Sequence, residues 1–228
     1  MMGPRVALLV AAMVLALAGT IGTIRWLEAG IRPGDLPEGL EYLPSPGVAR
    51  RLAFGYEHLG ADLMWIRTVQ YFGKQIERKH SKFPRLRPLL DVTVGLDPHF
   101  IEAYRYGALF LGIAGDIPGN LAFLEQGYHR NPGRWELPHD LGRLYFLQLD
   151  DYANALRWWT ITESLPEAPT YIPRMIARLH AKVGNLETAL ELWEAMEQDP
   201  NTNEFWRTRA REEIERLRAE LAKGHRSQ

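Results

Sequence analysis

Side chains able to do chemistry are few in this chain. Glu136 and His139 form one E-x-x-H, the spacing that sets a carboxylate and an imidazole on one helix face and that di-iron bundles use. Those sites need a second copy of the pair plus two further carboxylates, and the sequence holds no second copy. The histidines, at 58, 80, 99, 129, 139, 180 and 225, include no two that are three or four residues apart, the spacing a helical metal face wants. Asp140 follows His139, but no nucleophile can be assigned to the two. There is no glycine-rich phosphate loop with lysine, no G-x-S-x-G elbow and no H-E-x-x-H. Absence of cysteine excludes disulfides, thiolate-bound zinc, iron–sulfur clusters and thiol catalysis, and it suits an oxidising compartment. The enzymatic reading left is a helical metalloenzyme built around Glu136 and His139. The residues favour a protein that works by binding, with no catalytic residue, metal or cofactor expected.

Charge supplies the other candidate chemistry. A net charge of −1 and a pI near 6.7 carry no global signal for nucleic acid, and none is expected as a partner. Locally, Lys74, Arg78, Lys79, Lys82, Arg85 and Arg87 crowd one stretch against Glu77 alone. Clustered cations attract anions, so this stretch reads either as a contact for lipid headgroups or an acidic partner, or as a solvated loop and helix end.

The elements that would position these groups are marked by prolines. Pro98, Pro132, Pro166 and Pro200 recur every 34 residues, each after an amphipathic helix-like run. Proline stops a helix and starts the next connection. Between the prolines lie the turn signals Gly115-Asp116, Asp150-Asp151-Tyr152 and Gly184-Asn185, which divide each window into two helices. Small residues recur where paired helices must approach, at Gly107-Ala108, Gly142, Ala177 and Ala189. With this period, these small positions and the closing proline, the sequence resembles the tetratricopeptide repeat (TPR) family, most clearly over GNLETALELWEAMEQDP, 184–200. Asn120 departs from the pattern at a position where the family prefers alanine, and single-residue shifts occur inside the third and fourth units.

The resemblance implies an all-α solenoid of about four helix-turn-helix repeats whose first helices line a groove for a protein partner. Carried over, the lining is Glu102, Arg105 and Leu109, then Glu136, His139, Arg143, Phe146 and Leu147, then Tyr171, Arg174, Arg178 and Lys182. Arginine's planar fork pairs with a carboxylate at two points, so rows of arginine suit an acidic or C-terminal segment. The asparagines of the family's carboxylate clamp are absent, and the arginines can instead be neutralised internally by Glu102, Glu136 or neighbouring acids. The tryptophans Trp135, Trp193 and Trp206 read either as anchors for a bound peptide or, as helical spacing favours, as packing between helices. Trp158 and Trp159 stand apart, because adjacent residues cannot both face one core, and one of them is left to reach a partner.

Domain organisation follows from composition. Nineteen uncharged residues, 6–24, run between Arg5 and Arg25, long enough for most of a bilayer core. They read as an uncleaved signal anchor or as a cleaved signal peptide with Ala16-Leu17-Ala18 at its site, and apolar character continuing to Ile24 favours the anchor. Residues 1–25 are thus the expected transmembrane helix, 26–46 a Pro/Gly-rich linker, 47–202 the repeat domain and 203–228 a capping helix with a tail. From 47 to 72 the apolar residues Leu52, Tyr56, Leu59, Leu63, Ile66 and Val69 fall at three- and four-residue spacing, giving one long helix or two abutting ones. The expected location is the inner membrane, single-pass, with the soluble domain periplasmic. The expected function is a scaffold in assembly or stabilisation of an envelope complex such as a pilus, a secretion machine or a respiratory or cytochrome complex. A permanent subunit of such a complex is the alternative.

Overall fold

A computed structural model describes residues 43–224, together with the isolated positions 13, 15, 18, 19 and 22. The chain divides into two units, Met1–Leu43 and Pro44–Gln228. All but those five positions of the expected anchor, and nearly all of the linker, lie outside the described residues. Among the described residues no helix is long and apolar enough to cross a membrane.

In the second unit the described residues form ten α-helices and no strand: α1 (Pro46–Leu52), α2 (Glu57–Glu77), α3 (Leu86–Leu96), α4 (Ile101–Ile113), α5 (Ile117–Arg130), α6 (Glu136–Leu147), α7 (Tyr152–Glu163), α8 (Ile172–Lys182), α9 (Leu186–Gln198) and α10 (Glu204–Gly224). They pair in order as α2/α3, α4/α5, α6/α7 and α8/α9, and α10 closes against α9. Each proline of the ladder sits in the connection after a second helix, and a new helix begins beyond it. The all-helical solenoid expected from the period is the observed architecture.

Turns inside the pairs repeat one device. Gly115, Asp150 and Gly184 all have positive φ, at 83°, 50° and 86°. In two of them the next residue caps the following helix: the Asp116 carboxylate accepts from the Gly119 N–H, and that of Asp151 from the Asn154 N–H. Asp150 occupies the left-handed region without being glycine, at some cost in strain.

Small residues let the paired helices close up. A Cβ on Gly142 would lie 2.4 Å from the Trp159 ring, and one on Gly107 would lie 2.5 Å from Leu90 and 2.8 Å from Phe123. Ala177 and Ala189 are fully buried in the last core, with Trp193, Ala210, Ile214 and Leu217. That core takes in α10, whose other side carries exposed pairs such as Arg209–Glu212. Arg211–Glu197 and Arg218–Glu194 fasten its edges to α9. This is the terminal cap a solenoid needs, apolar on one side and charged on the other.

Of the two readings of the stretch before Phe72, two abutting helices is the one found, because Phe54 and Gly55 both take positive φ and break it. The stripe Leu59, Leu63, Ile66 and Val69 on α2 lies outside the core; these side chains are 41–56% exposed. Instead α2 holds α4 through its other flank, where Phe110 stacks on both Trp65 and Phe72. One expectation changes: Trp158 and Trp159 are both buried, at 7% and 2% exposure, and neither is left to reach a partner. A solenoid helix has two buried faces: Trp159 packs on Gly142 and Phe146 of its own pair, while Trp158 meets Tyr128 of the preceding pair edge-on.

Candidate partner-binding groove

The first helices of successive pairs meet along one face, and a network of side chains spans them. Arg105 of α4 donates its Nε–H to Asp140 Oδ2 of α6 at 2.8 Å, and Arg143 Nη2 lies 3.5 Å from Oδ1. His139 Nδ1 is 3.1 Å from that same Oδ1, and Nε2 is 2.8 Å from the Tyr171 hydroxyl at the start of α8. With Nδ1–H donating to the carboxylate, Nε2 is left to accept from the Tyr171 hydroxyl. Asp140 is 4% exposed. Burial alone would raise its pKa, but the hydrogen bonds from His139 and Arg105 outweigh that and hold it below the ordinary carboxylate value. Four of the residues assigned to the groove, Arg105, His139, Arg143 and Tyr171, are therefore brought together around a carboxylate that was not assigned to it.

That carboxylate was within reach of the sequence. Asp140 lies 35 residues after Arg105, close to one repeat length, so the two face each other on neighbouring first helices. Beside the pair a cavity of about 50 Å³ opens among Arg105, Leu109, Asn120, Arg143, Leu147 and Gln148. Asn120, the departure from the repeat pattern, is buried there at 5% exposure with an Oδ1 that has no hydrogen-bond partner among the described residues.

The remaining positions divide. Glu136 is buried in the first turn of α6 and bonded to Arg134, so it faces its own helix end and does not form part of an open wall. Burial pushes its pKa up, and the Arg134 hydrogen bond and charge bring it below normal. Glu102 and Leu109 are exposed on α4. Phe146 is half-buried, with Lys182 above its ring and 3.2 Å from the Tyr152 hydroxyl. Among the described residues no group of three or more His, Asp or Glu side chains could hold a metal, and the E-x-x-H pair is committed to Arg134, Asp140 and Tyr171.

On α8 the arginines are differently placed. Arg174 lies over the Trp206 ring, 3.9 Å from its centroid, and no carboxylate of the described residues pairs with it or with Arg178 one turn on. Burial, then the like charge of Arg178, lowers the pKa of Arg174. Arg178 is exposed. At this end of the row the internal neutralisation seen around Asp140 does not occur.

The basic stretch is spread over several elements. Lys74 lies in the last turn of α2, and Arg78, Lys79 and Lys82 are exposed in the connection beyond it. The Arg85 backbone N–H donates to the Tyr71 hydroxyl. Arg87 belongs to α3, bonded to Asp91 at 2.8 Å and placed over Phe123.

Neither a protein-family model nor any curated protein matches the sequence. Among solved structures the chain is similar to YrrB, a TPR protein with an unusual peptide-binding site, at 18% identity and a TM-score of 0.47 over 69% of this chain and 77% of that one. It is also similar to MamA, at 13% identity and 0.45 over 72% and 94%, and to TTC0263, a thermophilic TPR protein of Thermus thermophilus, at 20% and 0.42 over 74% and 98%. The fold itself rests on the helix pairs and their 34-residue punctuation.

Proposed function

We propose that this chain is a non-catalytic scaffold, anchored in the inner membrane by residues 6–24 with the repeats on the periplasmic side, that holds an acidic segment of a partner protein during assembly of an envelope complex. The observation that carries the acidic partner is the pair Arg174 and Arg178: two guanidiniums one turn apart on α8, the first partly desolvated, with no carboxylate of the described residues paired with either. A ligand carboxylate placed there relieves their mutual repulsion and gains charge-assisted hydrogen bonds. Arg105 and Arg143 are already satisfied by Asp140, so they shape the wall beside the contact and contribute less charge to it. The anchor is supported by the uncharged run between Arg5 and Arg25.

Affinity purification from detergent-solubilised membranes tests the reading. Wild type retains a partner that the Arg174→Glu, Arg178→Glu double variant loses. Equal recovery of every partner by both removes the groove from the account.

A further inference from the structure

The N-terminal end of the solenoid carries a surface that the groove does not use. On α2 the side chains of Leu59, Leu63, Ile66, Val69 and Ile76 are 41–56% exposed and follow one stripe. At 1.5 Å per residue the stripe is about 26 Å long. An apolar depression continues it between α1, α2 and α3, lined by Leu52, Ala53, Leu63, Ile66, Val92 and Leu96, with a volume of about 460 Å³. At the opposite end α10 seals the stack; here α1 lies against α3 and leaves the outward face of α2 open. So long a run of exposed apolar side chains on one helix marks an interaction surface.

Charge selects the occupant. Residues 46–85 contain eight Lys and Arg against three Asp and Glu, a net of +5, while 86–203 contain nine against sixteen, a net of −7. Arg67 and Lys74, both exposed, flank the stripe on α2, Asp62 and Glu77 are exposed along it, and the positive excess comes from Lys79, Lys82 and their neighbours beyond its end. A second copy packed on the same face would bring two such positive ends together. An apolar stripe bordered by cations is the composition of a helix lying in the headgroup region of an anionic bilayer. The tether has the reach: residues 26–46 span at most about 70 Å when extended. Reach, unlike the stripe and its charge, rests on the proposed anchor.

We propose that α2 docks flat on an anionic lipid surface, with Leu59, Leu63, Ile66 and Val69 in the headgroup–acyl boundary and Arg67, Lys74, Lys79 and Lys82 at the phosphates. Asp62, exposed beside Leu63, and Glu77, exposed beside Ile76, oppose the contact. Because the chain has no cysteine, full-length protein with Leu63→Cys or Ile66→Cys takes a single nitroxide at a site already exposed, and Glu215→Cys on α10 serves as reference.

With vesicles containing one-third phosphatidylglycerol, collisions of the Leu63 and Ile66 labels with a water-soluble nickel chelate fall several-fold and those with oxygen rise, while Glu215 does not change. Phosphatidylcholine vesicles, or the Lys74→Glu, Lys82→Glu variant, give a smaller fall, and Asp62→Asn gives a larger one. Labels equally open to the nickel chelate in all vesicles overturn the proposal. So does protection that depends on protein concentration and not on lipid, which assigns the face to a second copy. So does protection that appears only when a co-purifying protein is present, which assigns it to that partner. Flotation with phosphatidylcholine vesicles reports the anchor separately: loss of flotation there, with the α2 labels still protected in anionic vesicles, rejects the anchor and keeps the docking face.

Discussion

The Arg174 guanidinium rests on the Trp206 ring at 3.9 Å, a contact between the last repeat and its cap that takes the place of an ion pair. A cation over an indole is attracted by the ring's negative face while its N–H edges stay free to meet a carboxylate. Arg174→Gln is expected to lower stability by about 0.5–2 kcal/mol through loss of this contact. Arg178→Gln, at an exposed site with no pairing carboxylate among the described residues, is expected to stay within about 0.5 kcal/mol of wild type. Urea denaturation followed by circular dichroism separates the two, while both variants weaken partner binding.

Asp140 is the buried anion on which the wall between α4, α6 and α8 is assembled. Asp140→Ala strands Arg105 and His139 without their acceptor and is expected to cost about 2–4 kcal/mol. The folded-state pKa of this carboxyl is depressed, so its stabilisation is complete above the unfolded Asp value of about 3.9 and is lost as pH falls through the lower folded value. The urea midpoint of wild type should therefore fall steeply below about pH 4, and that of Asp140→Asn should fall less.

Gly142 faces the Trp159 indole with no room for a methyl group, its virtual Cβ lying 2.4 Å from the ring. Gly142→Ala must push α6 and α7 apart or rotate a packed tryptophan. The expected loss is about 1–3 kcal/mol, with a change in the near-ultraviolet tryptophan signal.

Asp150 performs in one turn what Gly115 and Gly184 perform in the others, at φ 50°. Asp150→Gly relieves left-handed strain and is expected to raise stability by up to about 1 kcal/mol, whereas Gly184→Val is expected to lower it by about 1–2 kcal/mol. Thermal melts of the two variants should move in opposite directions.

Much of the fold was legible because its signals are local. Prolines at a fixed interval, a left-handed residue before each Asp or Asn that opens a second helix, and small residues at the contacts each act within a few residues of where they stand. What sequence reading missed depends on which face of a helix has a neighbour. The stripe Leu59, Leu63, Ile66 and Val69 has the spacing of a core face, and only the position of α2 at the end of the stack leaves it exposed. Trp158 and Trp159 fail the one-core rule because α7 packs against both its own partner and the preceding pair. The groove was partly legible: its rows follow from the period, but whether an arginine is spent or available turns on the residue one repeat away. Asp140 stands opposite Arg105, whereas Trp206 stands opposite Arg174.

Photocrosslinking tests the binding claim most directly. A benzoylphenylalanine at position 171, one turn before Arg174 and leaving both arginines in place, carried by the full-length chain in whole cells, is predicted to capture one acidic segment of a protein, with a yield that falls as salt is raised; the same group at position 209, exposed on the outer side of the cap, captures none of it. Crosslinks that are identical from the two positions, or a captured segment without acidic residues and insensitive to salt, would contradict the assignment of this groove to an acidic partner.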